Sequence, residues 1–330
     1  MKIKDVLIRV FKKGHRILFN KKFENPECDI DRQSANDKIY DLLNSKEPCM
    51  IARFGTTELI AINNYLCITS NERYYKKIWN YISDKTHLPW WDEKHFKFME
   101  IYSGIFPPTK EIAERFSRLY LSDTPSIDLL GSFQYYEKFM PLRSDVQKVH
   151  LETLYPFFVE RPWTRALKGK KVLIIHPFEE TIQEQYKLRN KLFDNPDILP
   201  EFELITYRAI QSAAGIEVPY KDWFEALKYM QDEISEIDFD ICILGCGAYG
   251  LPLAAHIKRM GRKAFHMGGG LQLLFGIKGK RWDRASYGYE YGIPELFVEP
   301  YCNLYNQYWT KPLKINTPDK ASNIDGATYW

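Results

Sequence analysis

The sequence has no run of about 18 apolar residues, so no bilayer-spanning helix is expected. Its six cysteines, at 28, 49, 67, 242, 246 and 302, form no CxxC pair and no metal-ligand spacing, and ordinary apolar and charged fractions over 330 residues exclude a disulfide miniprotein. Cys49, Cys67 and Cys242 sit in apolar runs and read as small core residues. No small-residue cleavage site follows the apolar start, so a cleavable signal peptide is not expected and a reducing cytoplasm is the simplest location. Internal repeats and low-complexity tracts are missing as well. Nor does the body carry charge of one sign. Beyond residue 24 there are 38 basic and 41 acidic side chains, a balance of −3 that argues against a nucleic-acid partner.

What is present is a chain of 330 residues, 45% apolar and 27% charged, enough for one large domain or two modest ones around a real core. Aromatics reach 15%, a surplus that suits sugar stacking, protein contacts or a large core equally well. Residues 1–24 hold eight of the basic side chains against Asp5 and Glu24, a charge of +6. Within them Ile3, Val6, Leu7, Val10, Phe11, Ile17 and Leu18 recur at helical spacing, with Lys2, Arg9, Lys12, Lys13 and Arg16 on the opposite face. Two readings stand side by side. Residues 1–22 form a basic amphipathic helix lying on an anionic membrane, making the protein peripheral at its inner face; or the helix docks on the body and leaves its basic face to solvent.

Residues 25–330 read as a single α/β domain. A helix over 35–46 with Ser34 as N-cap leads to the short strand CMIARF (49–54), a polar turn and another helix. A helical, aromatic insertion is expected at about 72–150, with IDLLG (127–131) as a buried strand inside it. From residue 172 the alternation is regular: strand 172–177, helix 181–193, strand 202–209, helix 222–235, strand 239–245, helix 251–260 and strand 263–268. Continuous apolar runs such as VLIIHP and FDICILG suit parallel strands buried on both faces, and the alternation predicts a doubly wound, mostly parallel sheet. The tail, 300–330, reads as packed irregular structure.

In such a sheet, ligands bind beyond the carboxyl ends of the strands. Three polar or glycine-rich places lie there. The first is Arg53, Gly55, Thr56, Thr57 and Glu58, where Glu58 is a candidate general base or metal ligand, or simply an acid in the first turn of a helix. The second begins at His176, a candidate phosphate or ribose contact or proton shuttle, followed by Glu179 and Glu180, which read as metal ligands or helix caps. The third pairs GCGAYG (Gly245, Gly247, Gly250) with His266 and Gly268, Gly269 and Gly270. GCGAYG is a literal GxGxxG, but the acid that should hold a dinucleotide ribose about 20 residues on is missing. It reads as a phosphate approach loop or as a tight turn needing small residues. Lys278, Lys280 and Arg281 follow and could neutralise a diphosphate.

Five blocks, ARFGTTEL, LKGKKVLIIHPFEETI, LFDNPDILP, ILGCGAYGLPLAAHIKRMG and HMGGGLQLLFGIKGKRW, occur in an order that resembles the GT-D-type bacterial glycosyltransferases, over roughly residues 35–285. The later blocks resemble a branch of uncharacterised proteins from polysaccharide gene clusters. The resemblance implies a Rossmann-like fold and transfer of a hexose-type sugar from a nucleotide-diphosphate donor, such as a UDP-sugar, to a glycan or lipid-linked acceptor in surface polysaccharide synthesis. It also implies Mn²⁺ or Mg²⁺ bound at an RFGDGE-like segment. Arg53, Phe54, Gly55 and Glu58 match that segment, while Thr56 stands where the family has Asp. A single carboxylate with two hydroxyls is a poor site for either ion. Two rival readings remain: a nicotinamide oxidoreductase, which accounts for GxGxxG, and a non-catalytic sugar-nucleotide-binding protein, which accounts for the lost Asp.

Overall fold

The computed structural model describes residues 3–19, 24–284, 296, 299–323 and 327–330. Its helices are α1 (Ile3–Phe19), α2 (Arg32–Asn44), α3 (Thr56–Thr69), α4 (Tyr74–Ile82), α5 (Glu93–Ser103), α6 (Lys110–Asp123), α7 (Glu179–Tyr186), α8 (Trp223–Ser235), α9 (Gly250–Arg259) and α10 (Leu271–Leu274). Its strands are β1 (Met50–Ala52), β2 (Leu129–Ser132), β3 (Gln147–His150), β4 (Lys171–His176), β5 (Glu203–Arg208), β6 (Ile241–Leu244) and β7 (Lys263–His266). They form one parallel sheet of seven strands in the order β3-β2-β1-β7-β6-β4-β5. The fold is α/β, Rossmann-like and doubly wound.

The apolar runs explain the layers. Successive side chains of a strand point to opposite faces. Val172 and Ile174 of β4 pack with Ile241, Ile243, α2 and α7, while Leu173 and Ile175 pack with Cys242, Leu244, α3, α6, α8 and α9. Both faces are thus dry, as continuous Val/Ile/Leu strands require. After β4 the chain moves outward to β5, then returns to place β6 on the other side of β4. The β4–β6 boundary is therefore a switch point, with a crevice beyond the strand ends.

Several expected boundaries shift. Asp31, not Ser34, caps α2, its carboxylate accepting from the Ser34 N–H at 2.6 Å. The helix expected at 181–193 begins at Glu179 and ends at Tyr186, because the chain then tightens into i→i+3 turns that drive Leu192 into the core. Within the expected helical insertion, α4–α6 occupy only 74–123, and β2 and β3 belong to the main sheet. β3 (QKVH) was not expected: its first two side chains are exposed at the sheet edge, so it shows no apolar run.

The N-terminal helix reverses the docking expectation. Its basic face, not its apolar one, meets the body. Arg9 reaches Asp92 at 2.5 Å, and Lys12 and Arg16 both reach the buried Asp84 at 2.6 Å. Lys2, Lys21 and Lys22 lie outside the described residues. Among the described residues no helix is long and apolar enough to cross a membrane.

Candidate functional site

A cleft of about 290 Å³ opens beyond the ends of β1, β4, β6 and β7. Arg53 leaves β1 and Gly55 starts α3, where no side chain caps the helix. The Glu58 carboxylate folds back over Gly55, so closely that a Cβ there would lie 1.8 Å from Oε2. Glu58 is buried yet makes no hydrogen bond or ion pair with a described residue. The same holds for the half-buried Arg53, whose guanidinium stands 5.5 Å from the Phe133 ring. A buried acid and a guanidinium left without partners are costly unless something else meets them.

Two histidines flank the β6 turn, His176 from β4 and His266 from β7. His176 Nδ1 accepts from the Phe178 N–H at 3.0 Å, which places the proton on Nε2. Burial pushes His176 down to about 3, and burial together with the Arg53 charge does the same to His266. Both are neutral at pH 7. His266 Nδ1 is buried and meets no partner among the described residues.

The glycine loops divide by role. Gly245, Gly247, Gly268 and Gly269 line the cleft. Gly247 (φ 57°) and Gly268 (φ 74°) adopt left-handed backbone that favours glycine. Gly250 does not line the cleft: a Cβ would come within 2.1 Å of His266 Nδ1, so it serves packing rather than ligand approach. Gly270 likewise lies against the Tyr155 ring, 2.2 Å from where a Cβ would stand. The buried Tyr120 hydroxyl donates to the Ala248 carbonyl at 2.6 Å and pins the loop from α6.

The basic cluster also divides. Arg281 lines the cleft and donates to the Tyr329 hydroxyl at 3.0 Å. Lys278 stands over the Tyr305 ring at 5.1 Å and Lys280 is exposed, and neither lines the cleft. The reason is local: Ile277 bridges to Thr310, and the turn at Lys280–Trp282 buries Trp282 and sends Lys280 outward. Of the predicted residues, the cleft therefore gathers Arg53, Gly55, Thr56, Thr57, Glu58, His176, Gly245, Gly247, His266, Gly268, Gly269 and Arg281.

The lining also includes residues not anticipated. Ser212 follows β5, and its hydroxyl lies 2.9 Å from that of Tyr249, which stacks on Trp223. The rule that ligands sit past strand ends, applied to β5, would have found it. Tyr102 ends α5 and stacks on the exposed Phe98 at 5.3 Å. Tyr329 and Trp330 fold back from the tail, with no nearby motif to announce them.

The residues do not fit a protein-held divalent cation. Glu58 is the only carboxylate lining the cleft among the described residues, and none of these residues form a group of three or more His, Cys, Asp or Glu suited to a metal. Glu179 and Glu180 are ion-paired to Arg208, and Glu180 also accepts from Asn316 at 2.7 Å.

Compared with family models, with curated proteins and with solved structures, the chain finds no match.

Proposed function

We propose that the protein is a glycosyltransferase that moves a hexose-type sugar from a nucleotide-diphosphate donor to a glycan or lipid-linked acceptor, in the synthesis of bacterial surface polysaccharide. The observation that carries this reading is the cleft at the switch point, in which Arg53 and Glu58 make no hydrogen bond or ion pair with a described residue. Arg53 and Arg281 receive the donor diphosphate, since a guanidinium fork matches phosphate oxygens and neutralises the leaving group. Gly247 and Gly268 let the backbone approach it closely, since a Cβ at Gly247 would meet nothing within 4 Å and one at Gly268 only the Arg53 side chain at 3.5 Å, whereas Gly245 and Gly269 pack against His176 and Tyr329. The acceptor enters along α5, with its sugar against the exposed Tyr102–Phe98 stack, and Glu58 takes the proton from its hydroxyl as the hydroxyl attacks the donor's anomeric carbon. The bond between that carbon and the diphosphate oxygen breaks, and the nucleoside diphosphate departs with its electrons. In this scheme the sugar's configuration inverts.

The oxidoreductase reading has less support. Gly250, the last glycine of GxGxxG, packs against His266, and β7 ends in that histidine instead of a ribose-binding acid. The test is release of nucleoside diphosphate from a panel of sugar nucleotides offered with membrane-extracted acceptors. Release by wild type and none by Glu58→Gln is the expected result. Binding of a sugar nucleotide without turnover under any acceptor would favour the non-catalytic binding protein.

A further inference from the structure

The N-terminal helix turns its charges inward and its apolar side chains out. Leu7, Val10, Phe11, Ile17 and Leu18 are each 53–81% exposed. At about 100° per residue they form one stripe, opposite Arg9, Lys12 and Arg16. Rolling α1 by half a turn would bury that stripe on the body. It does not roll because Asp84, Asp92 and the Tyr81 carbonyl receive the three cations. α4 widens the exposed face: Trp79 is 56% exposed and stands edge-on to the His15 ring at 5.9 Å, and Tyr75 is 67% exposed. A contiguous apolar face of this kind on a folded surface marks an interaction site.

The geometry points to a lipid bilayer as the occupant, with α1 and α4 lying flat on an anionic membrane surface. Aliphatic side chains enter the acyl boundary, while Trp79 and Tyr75 sit at headgroup level, where amphipathic rings are favoured. Lys13 and Arg73 are exposed beside the stripe, and neither is ion-paired to a described residue, so both are available to lipid phosphates. Charge complementarity separates this occupant from a second copy. A twofold pairing of the face would set its cationic rim against itself. The residues that do the work thus differ from those the amphipathic pattern alone selects: Arg9, Lys12 and Arg16 hold the helix, and the apolar stripe binds. This surface stands without the reaction proposed above. It suits that reaction in one respect: Asp92, which anchors α1, caps α5, and the far end of that 11-residue helix, about 16 Å away, lines the cleft.

The test is cosedimentation of the full chain with vesicles of phosphatidylcholine, alone and mixed with phosphatidylglycerol. Wild type is expected to bind both, more tightly where phosphatidylglycerol is present. The combined Leu7→Ser, Phe11→Ser and Leu18→Ser variant is expected to bind at least tenfold more weakly to both, with an unchanged melting temperature, since these side chains are solvent-exposed. Brominated lipid should quench a fraction of wild-type tryptophan fluorescence that Trp79→Phe lacks while still binding vesicles. Wild type that binds neither vesicle, or a triple variant that binds as wild type does, overturns the proposal. So does a wild-type dimer, without vesicle binding, that the triple variant abolishes, which would assign the face to a second copy. Quenching unaltered in Trp79→Phe removes α4 from the surface.

Discussion

The cleft and the α1–α4 flank both gather charged side chains, and they use them in opposite ways. On the flank every cation aimed at the body finds an acceptor: Arg9 on Asp92, Lys12 and Arg16 on Asp84. In the cleft, Arg53 and Glu58 have no hydrogen bond or ion pair with a described residue. The first arrangement is finished and holds the fold. The second leaves a guanidinium and a carboxylate open to a ligand. Whether a basic residue in a motif is tied to the fold or left open to a ligand depends on where the acids stand in space, which sequence spacing does not reveal.

The cleft should be the more sensitive of the two regions to a single substitution. Glu58→Gln should lower sugar transfer by about 10²–10⁴-fold, the usual worth of a general base, with an unchanged circular dichroism spectrum. Transfer at the wild-type rate would remove Glu58 from the chemistry. Next, acid should weaken both regions, since burial also pushes His87, beside Lys12 and Asp84 on the flank, down to about 3. His176 and His266 are held by burial at about 3, so the unfolded chain takes up protons that the folded chain refuses as pH falls below about 6.5. Stability should therefore drop between pH 7 and pH 5, by about 1 kcal/mol or more per histidine. Burial alone would raise the Asp84 carboxyl, but hydrogen bonds from Arg16 and Lys12 outweigh it and hold the group below its ordinary value. Its contribution should persist to about pH 4 and fade below that, as the carboxyl protonates. Melting curves at pH 7, 5.5 and 4 read both windows. A flat response down to pH 5 would contradict the neutral, buried histidines.

On the flank, Asp84→Asn should affect stability and not binding. Removing the shared acceptor of Lys12 and Arg16 should cost about 2 kcal/mol in denaturant unfolding, discounted for the exposure of Arg16. It should leave nucleotide affinity untouched. The smallest effect is expected at Lys280→Ala. This exposed side chain should change nucleoside diphosphate affinity by less than about twofold, because screened surface charges contribute little. A tenfold loss would return Lys280 to the site.

The legible part of the molecule was the part written in apolar runs. VLII and ICIL announced central strands, and the polar turns after them announced the cleft. β3 was hidden because an edge strand needs no continuous apolar run. Within the glycine motifs, Gly250 and Gly270 could not be told from Gly247 and Gly268: whether a glycine faces a ligand or a neighbouring ring depends on His266 and Tyr155, which are far from it in sequence or on another strand. Lys278 and Lys280 looked equivalent to Arg281 because three cations in four residues share one spacing, and only a tight turn separates their directions. Tyr329 and Trp330 reach the cleft by tertiary packing alone. The outward stripe of α1 was readable as a pattern, but its orientation required knowing where Asp84 and Asp92 would stand.

Arg53, which has no hydrogen bond or ion pair with a described residue, is proposed to mark a diphosphate site. The most direct measurement is calorimetric titration of wild type and Arg53→Ala with UDP, uridine and NAD⁺. A charge-assisted hydrogen bond contributes roughly 1.5–3 kcal/mol, so the variant should bind UDP about ten- to a hundredfold more weakly and uridine unchanged, with NAD⁺ the poorer ligand of wild type. Equal UDP affinity in the two proteins would remove Arg53 from the diphosphate site, and NAD⁺ binding where UDP does not bind would overturn the glycosyltransferase reading.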